Sequence, residues 1–427
     1  FSGSNSIAIG YQAAPSSTSV SNEITLGNAS VTSFRIPGIQ SGASDGDVLT
    51  FNSSAGKLEL QAAGGGGGLT PYAIPSGKNA IYAGFVPTSV TGAQNVVLSG
   101  GDTGTNLTTA QDNILIGYRA GVNITTSNSN ICIGSRAGQS ITTSSGFANT
   151  IIGTEAGANS STSGATTIGW LAGNRSNTVS VGDQAGRSAS GSANLSVHIG
   201  SNAGYSNSGS TSIIIGGFAA RNNSRDGHTS IGYNAGYSNT SGQQNTNIGY
   251  EAGYSNTTNA FRTCIGWKAG KLNTGSGNTF IGNNAGADRA NVEGSSTAVG
   301  NSAGRYWESG SNTALGENAG SYANGTSRYN VMVGREALGG AFGSKSNNVA
   351  VGYKSGFAAT TGGNNVFVGY EAGVAHTTAQ QSTIIGYQAG LALTTANNNT
   401  LIGHQAGVAA TGAENTLIGT YSGRTLT

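Results

Sequence analysis

Cysteine, methionine, proline and charged residues are all scarce in this 427-residue chain. Two cysteines are too few for a disulfide scaffold or a cysteine-rich zinc module. The sequence contains no run of 18 apolar residues, the length that a membrane-spanning helix needs. A charged fraction of only 8 % excludes a tail that is kept disordered by its charge. The net charge of +2 is too small and too dispersed for a surface that follows phosphates, so nucleic acid is not an expected partner.

Glycine, by contrast, is abundant and regularly placed, with 72 residues against 5 prolines. From Asn113 onward one phrase recurs, as in NILIGYRAG, NICIGSRAG, NTIIGTEAG and NTLIGHQAG. Each copy has a glycine directly after an aliphatic residue, which we call the anchor. Nineteen anchors span 302 residues (419 minus 117), so they recur every 16.8 residues on average (302 over 18 intervals), with spacings of 13 to 19. The length varies in the polar stretches after the phrase, which predicts loops there.

The residues just before each anchor predict a β-strand. We number positions relative to the anchor: position −1 is Ile, Val or Leu in all nineteen copies, and position −3 is Thr, Val or Ile in all nineteen. Two such positions spaced by two share one face of a strand. Position −2, which points to the other face, is apolar in fourteen copies. We therefore expect a strand of five residues that is covered on both faces.

The residues after each anchor predict a tight corner. Position +3 is Ala in seventeen copies, and position +4 is Gly in seventeen. Glycine admits positive φ and close approach of a second backbone segment. The anchors that we assign as structural corners are Gly117, Gly134, Gly249, Gly266, Gly369, Gly386, Gly403 and Gly419.

Asparagine precedes the strand, at position −4, in eleven copies, and serine takes this place in four more. Both residue types hydrogen-bond nearby backbone at turns. Stacked asparagines also form ladders between successive turns of a repeat. Both interpretations give position −4 a structural role.

Four segments follow from the pattern. Residues 1–39 contain two turns of a β-coil, each with one strand, and an exit strand. Residues 40–70 contain a small β-hairpin connector and a glycine-rich linker. Residues 71–112 contain two degenerate capping turns, and residues 113–427 form a shaft of nineteen turns.

The predicted fold is an all-β parallel β-solenoid, or β-roll, of about 17 residues per turn. A coil of this size has a thin interior and cannot cover both faces of its own strand, so a partner surface is expected. We predict that three parallel copies share an axis and form an elongated homotrimeric fibre. A single-chain triangular solenoid is the alternative, but such folds usually show a six-residue subperiod, and none is found here.

The phrase NTxIGxxAG and its polar loops resemble the repeats of bacteriophage tail fibres, which often end in a self-cleaving chaperone. They are also similar to the SVAIG repeats of trimeric autotransporter adhesin heads. The resemblance covers residues 5 to 27 and about 79 to 423, and DGDVLTFNSSAGKLELQAAGGGG resembles phage-fibre connectors. It implies a homotrimeric, extracellular rod that contacts a host.

Aromatic residues recur directly after the anchor, at position +1. Rings in consecutive turns would stack into ladders that stabilise the coil, and exposed rings could instead bind the faces of sugars. The glycan-contact candidates are Tyr118, Trp170, Tyr233, Tyr250, Trp267, Tyr353, Tyr370 and Tyr387.

Other chemistry is weakly indicated. Glycoside hydrolysis needs two carboxyl groups 5 to 10 Å apart, and acids on neighbouring turns occur only as Glu317 and Glu336, beside Arg335. The histidines at 198, 228, 376 and 404 have no metal-ligand spacing. Cys132 and Cys264 stand eight turns apart, too far for a disulfide, and are expected to be buried hydrophobes. No catalytic residue, metal or cofactor is assigned.

These observations and the resemblance lead to one expectation about function. The protein is expected to be a non-enzymatic, structural and host-attachment fibre located in a virion. Its expected partners are two further copies, a host-surface glycan or protein receptor, and other tail or baseplate proteins, without membrane insertion. A cellular surface adhesin of the same architecture, at the extracellular cell surface, and a polysaccharide-degrading tailspike remain as alternatives.

Overall fold

The computed structural model describes the strand residues 7–9, 24–26, 47–52, 57–62 and 80–84, and then residues 96–424. Within the last range, 143–146, 159–162, 174–175, 189–194, 290–293 and 324 are not described. The described residues contain β-strands and turns and no helix. The chain divides into two compact units, Phe1–Thr70 and Pro71–Thr427.

The first unit contains two pairs of strands. Strand β1 (Ile7–Ile9) pairs in parallel with β2 (Ile24–Leu26), which places these strands directly before Gly10 and Gly27. Strand β3 (Asp47–Asn52) pairs antiparallel with β4 (Lys57–Ala62), where the sequence predicts a hairpin. The exit strand, the hairpin's turn and the glycine-rich linker lie outside the described residues.

The second unit is one parallel ladder in which each strand pairs with the next strand along the chain. Its first strands are β5 (Ala80–Gly84) and β6 (Val96–Gly100), at the two predicted capping turns. The strands that follow are β7 (Ile114–Ile116), β8 (Ile131–Ile133), β9 (Thr150–Ile152), β10 (Thr166–Ile168), β11 (Val179–Val181), β12 (Val197–Ile199), β13 (Ile213–Ile215), β14 (Thr229–Ile231), β15 (Thr246–Ile248), β16 (Thr263–Ile265), β17 (Thr279–Ile281), β18 (Thr297–Val299), β19 (Thr313–Leu315), β20 (Val331–Val333), β21 (Val349–Val351), β22 (Val366–Val368), β23 (Thr383–Ile385), β24 (Thr400–Ile402) and β25 (Thr416–Ile418).

This architecture confirms the all-β parallel β-solenoid with turns of about 17 residues. Equivalent residues pair in register along the ladder, as Ile248 with Ile265 and Ile265 with Ile281. The remainder of each turn is also bonded to the next one: the Gly253 N–H donates to Ala269 O at 2.9 Å, and the Gly270 N–H donates to Ala285 O at 2.8 Å. Each turn therefore satisfies its backbone groups through its neighbours.

Each strand of the nineteen turns has three residues and not the five predicted. The residue at position −5 has positive φ in every turn, and so does the anchor; Phe261 (φ 60°) and Gly266 (φ 131°) enclose β16 in this way. A left-handed residue on each side leaves only positions −3 to −1 in regular extended pairing. Position −5 is Gly, Asn or Asp, residues that favour positive φ, in eight of the nineteen turns and another type in eleven, a mixture too varied to predict this conformation.

The interior of the coil is filled by side chains from a single chain. Position −2 points inward: Leu115, Cys132 and Phe280 have no exposed surface. The alanines at position +3 are buried, as are the +7 side chains Ile124 and Leu393. Positions −1 and −3 therefore point outward, away from this core.

The anchor glycines stack directly on one another at the predicted corners. The eight assigned corner glycines all have φ between 122° and 139°. A Cβ added to Gly266 would lie 2.5 Å from the carbonyl oxygen of Gly282 in the next turn. Gly419 is the exception, with no such neighbour, because no described strand follows β25. Both the positive φ and the close approach of the backbones therefore require glycine in the stacked turns.

The asparagines at position −4 form a ladder between successive turns. This confirms one of the two structural interpretations of that position. Asn348 Nδ2 donates to Asn330 Oδ1 at 3.1 Å and to Gly362 O at 3.0 Å. The Asn348 backbone N–H donates to the same Asn330 Oδ1, and Asn348 Oδ1 accepts from the Asn365 N–H, both at 3.0 Å. These buried amides join successive turns through side chain and backbone together.

We expect Asn348→Ala to lower the free energy of unfolding by about 2–4 kcal/mol, because it leaves buried backbone and amide groups without partners. Asn348→Ser should lower the free energy of unfolding by about half as much. Serine occupies position −4 at Ser382, where its Oγ accepts the N–H of Asn399 in the next turn. Thermal unfolding followed by circular dichroism measures both changes. Equal losses for the two variants would contradict the contribution of the ladder.

Candidate functional site

The candidate aromatic residues form two stacks on the surface of the coil. In the first, Tyr233 and Tyr250 stack with ring centroids 5.7 Å apart, and Tyr250 and Trp267 stack at 6.3 Å, each with an interplanar angle of 15°. Phe218 packs edge-on against Tyr233 at 6.1 Å. The Lys268 ammonium lies 4.0 Å from the centroid of Trp267. The turn period places these rings one above another, as the sequence predicts for rings in consecutive turns.

The second stack lies in the last turns of the shaft. Tyr353 and Tyr370 stack at 5.1 Å, Tyr370 and Tyr387 at 5.2 Å, and Tyr387 and His404 at 5.0 Å. Tyr421 closes this stack by packing edge-on against His404 at 5.3 Å. His404 was not among the candidates, although it occupies the same position +1 of its turn.

Stacking limits which parts of these rings a ligand can reach. The faces of Tyr250, Tyr370 and Tyr387 are covered on both sides by neighbouring rings. These three rings are still 42–44 % exposed, and this exposure is at their edges. Sugars bind aromatic residues through an open ring face, so the two stacks act first as structural ladders.

Acidic neighbours affect the phenols of these stacks. The charge on Glu251 is the largest cause that raises the pKa of Tyr250 above its usual value. Partial burial, followed by the charge on Glu371, raises the pKa of Tyr370. Glu251 itself forms an ion pair with Lys271 at 2.6 Å. The phenols therefore stay neutral hydrogen-bond donors and acceptors at neutral pH.

Tyr118 and Trp170 are the two candidates that the structure does not bring together with the others. They are 53 % and 50 % exposed, and three turns separate their strands. One ring edge of Tyr118 lies against the backbone of Gly101, where an added Cβ would be 3.5 Å away. Their contact with a glycan remains a prediction.

The neighbouring carboxylates at Glu317 and Glu336 belong to a network of ion pairs. Arg335 Nε lies 3.3 Å from Glu317 Oε2 and 3.6 Å from Glu336 Oε1. Lys354 Nζ lies 3.6 Å from Glu336 Oε2. The alternation of acid and base along successive turns satisfies these groups on the surface.

The cysteines and three of the four histidines, His198, His228 and His376, are part of the interior. Both cysteines are free and fully buried, which confirms their assignment as small hydrophobes, and burial raises the pKa of the Cys132 thiol to about 12. Burial lowers the pKa of His228 and of His376 to about 4. Among the residues that the structure describes, no group of three metal-ligating side chains could hold a metal ion.

Lys345 is a buried cation that sequence reasoning missed. Its Nζ donates to three carbonyl oxygens, those of Leu338, Ala341 and Ala359, at 3.1, 2.9 and 2.7 Å. Burial lowers the pKa of Lys345 to about 7, while the three carbonyls match the three donors of the ammonium form. The lysine thus links one loop to the adjoining turn.

The sequence analysis also did not predict a polar cavity that the structure contains. It has a volume of about 350 Å³ and is lined by Thr211, Ser224, Arg225, Asp226, Gly227, Gln243 and Gln244. Gly227 stands at position −5, where most turns carry a side chain. Gly164 and Gly277 also stand at position −5 and do not line this cavity, so the glycine by itself does not predict it.

Within the part of the chain that the structure describes, no helix is long and apolar enough to span a membrane.

Comparison with known proteins adds no family to these observations. The sequence matches no protein-family model and, at a significant level, no curated protein.

Proposed function

We propose that this protein is the rigid shaft of a homotrimeric, phage-like tail fibre that attaches a virion to its host. The observation that carries the proposal is an unbroken column of aliphatic side chains on the outer face of the solenoid. Its repeats resemble those of tail fibres and trimeric adhesin heads, and this resemblance suggests that the column is buried between three copies of the chain.

The column consists of the nineteen residues at position −1, and none of them is buried. Leu315, which has strands on both sides, is 50 % exposed, and Ile418, in the last strand, is 67 % exposed. The members of the column are Ile116, Ile133, Ile152, Ile168, Val181, Ile199, Ile215, Ile231, Ile248, Ile265, Ile281, Val299, Leu315, Val333, Val351, Val368, Ile385, Ile402 and Ile418.

The column is long and carries no charge. At about 4.8 Å per strand, its eighteen intervals extend roughly 86 Å along the ladder. Position −3 continues the same face with Thr, Val or Ile in every turn. Apolar surface of this extent on a soluble protein marks an interaction surface. Parallel copies with a common axis would bury the same column in each copy, because cyclic symmetry presents equivalent surfaces.

A fibre of this kind works through its geometry. Continuous backbone ladders and the asparagine ladder resist bending, and the number of turns sets the reach. The shaft would then hold a receptor-contacting region away from the particle. Charged loops and exposed aromatic residues along its surface, including Tyr118 and Trp170, are available for a glycan or protein receptor.

Sedimentation of the purified chain tests the assembly. We expect the mass of three chains, and rods with threefold symmetry in electron micrographs. The double variant Ile248→Lys/Ile265→Lys places two charges per chain in the column and should sediment as monomers, because six buried charges cannot be compensated there. Leu272→Lys, at an exposed leucine off the column, should remain trimeric.

The outcomes separate the parts of the proposal. A wild-type chain that stays monomeric at micromolar concentration overturns the trimer. A trimer that fails to bind any bacterial cell surface, and whose antibody labels no tail fibre on virions, overturns attachment. Release of reducing sugars from capsular polysaccharide would instead favour a degrading spike.

A further inference from the structure

The polar cavity at turns β13 to β15 has the chemistry of a ligand site. Its lining offers one carboxylate, one guanidinium, two carboxamides and two hydroxyls, all from exposed residues. Its volume of about 350 Å³ falls within the usual range for small-molecule sites. The charges of Arg225 and Asp226 offset one another, so the cavity favours a neutral ligand with many hydroxyl groups.

The cavity lies at one of the three turns in which position −5 carries no side chain, those of Gly164, Gly227 and Gly277. Position −5 carries Thr211, Gly227 and Gln244 in three successive turns, all with positive φ between 51° and 73°. All three residues line the cavity, and a Cβ added to Gly227 would lie 3.3 Å from Gln244 Cγ. Other turns accommodate Gln at this backbone conformation, as at Gln381 (φ 57°).

Hydrogen bonds within the loops orient the lining groups. Asp226 Oδ1 accepts the Ser210 N–H at 2.6 Å, and Oδ2 accepts no hydrogen bond from a described residue. The Asn223 side chain holds the Arg225 backbone, with Nδ2 donating to Arg225 O at 2.7 Å. The carboxylate is therefore held in place while one oxygen remains available to a ligand.

An exposed aromatic ring stands at the edge of this arrangement. Phe261 occupies position −5 in the turn after Gln244, and its side chain is 64 % exposed. Its backbone N–H donates to Gln243 O at 3.0 Å, which ties the ring's residue to the cavity lining. The structure gives Phe261 no contact with another ring among the described residues, in contrast to the stacked tyrosines.

We propose that this cavity, with Phe261 at its rim, binds a neutral saccharide unit of a host-surface glycan. The Asp226 carboxylate and the Gln243 and Gln244 amides would hydrogen-bond vicinal hydroxyls, and Phe261 would pack against the apolar face of the sugar ring. The identification of the glycan as host-derived rests on the proposed attachment function. The site itself lies on each chain and differs in chemistry from the aliphatic column.

A cavity-filling variant tests the site: the new Cβ of Gly227→Gln would lie 3.3 Å from Gln244 Cγ, in a flexible side chain that can move aside. Wild-type protein and Gly227→Gln are applied to a microarray of bacterial O-antigen and capsular oligosaccharides. We expect the wild type to bind at least one neutral oligosaccharide, and Gly227→Gln to weaken that binding at least tenfold. Gly277→Gln is the matched control, because Gly277 has the same position and φ 67° but lies outside the cavity. It should bind as the wild type does.

Two further variants test the proposed contacts: Asp226→Ala, in the lining, and Phe261→Ala, at the rim, should each weaken binding about tenfold. Wild-type binding to no array saccharide, or equal binding by wild type and Gly227→Gln, overturns the proposal. Sedimentation of the same samples separates the proposed attachment function from the proposed saccharide site. If the protein is trimeric and binds cells, but Gly227→Gln binds them equally well, the attachment function stands and the saccharide site is wrong.

Discussion

Gly266→Ala is expected to lower the free energy of unfolding by about 2–5 kcal/mol. Two costs add at this anchor. The residue keeps φ 131°, which a side chain rarely adopts, and the new Cβ would lie 2.5 Å from Gly282 O. The neighbouring atom belongs to the backbone of the next turn, so no side-chain rearrangement can relieve the contact. The thermal unfolding midpoint, followed by circular dichroism, measures the loss.

Gly277→Ala provides the matched control for this variant. Gly277 also has positive φ, at 67°, but the nearest atom to an added Cβ is Ser295 N at 3.6 Å. Another turn already carries alanine at the same position, Ala148, with φ 57°. We expect a loss of about 1 kcal/mol or less. Equal destabilisation by the two variants would contradict the prediction, because neither the φ of 131° nor the contact with Gly282 would then set the anchor glycine apart.

The sequence predicted the elements whose residues repeat in every turn. The anchor glycine and the aliphatic residue before it recur in all nineteen turns, and asparagine recurs at position −4 in eleven of them. Repetition therefore fixed the period, the place of the strands and the asparagine ladder. It also fixed the aromatic stacks, because position +1 recurs above itself whenever successive turns carry a ring.

The direction in which the strand faces point could not be read from the sequence. Positions −1 and −2 are both largely apolar, and hydrophobicity alone does not say which is inside. The structure resolves this through the +3 alanines and the +7 side chains, which close the core over Leu115 and its equivalents. The +7 contribution was hidden because the residue type there changes from turn to turn, as with Ile124, Trp307 and His376.

The cavity and the left-handed residues were missed for a related reason. Position −5 carries residues as different as Leu195, Phe261 and Glu414, all with φ near 60°. None of these residues is typical of a left-handed conformation, which the surrounding turns impose. The cavity then arises from loops of three turns together, a combination that has no local sequence signature.

His376→Leu is expected to stabilise the protein at pH 7 by about 1–3 kcal/mol. The imidazole is fully buried and neither ring nitrogen has a hydrogen-bond partner. It packs edge-on against Phe367, with centroids 4.9 Å apart. The next turn carries Leu393 at the same interior position, also fully buried. Leucine therefore fits the column and removes two polar atoms that nothing satisfies.

The same variant should change the response to acid. Burial lowers the pKa of His376 to about 4, whereas an unfolded histidine titrates near 6.5. Between these values the unfolded chain binds a proton that the folded chain does not. Stability is therefore complete above about pH 6.5 and falls as the pH drops towards 4, by about 3 kcal/mol for this residue.

His228 supplies the comparison that identifies the cause. Its pKa is also lowered to about 4 by burial, but Asn239 Nδ2 lies 3.3 Å from its Nε2. His228→Leu should therefore remove a similar part of the acid sensitivity while lowering stability at pH 7. The double variant should lose the acid dependence contributed by both rings. If His376→Leu lowers stability at pH 7 and keeps the full wild-type loss between pH 6.5 and 4, the buried ring must have a partner that offsets its desolvation.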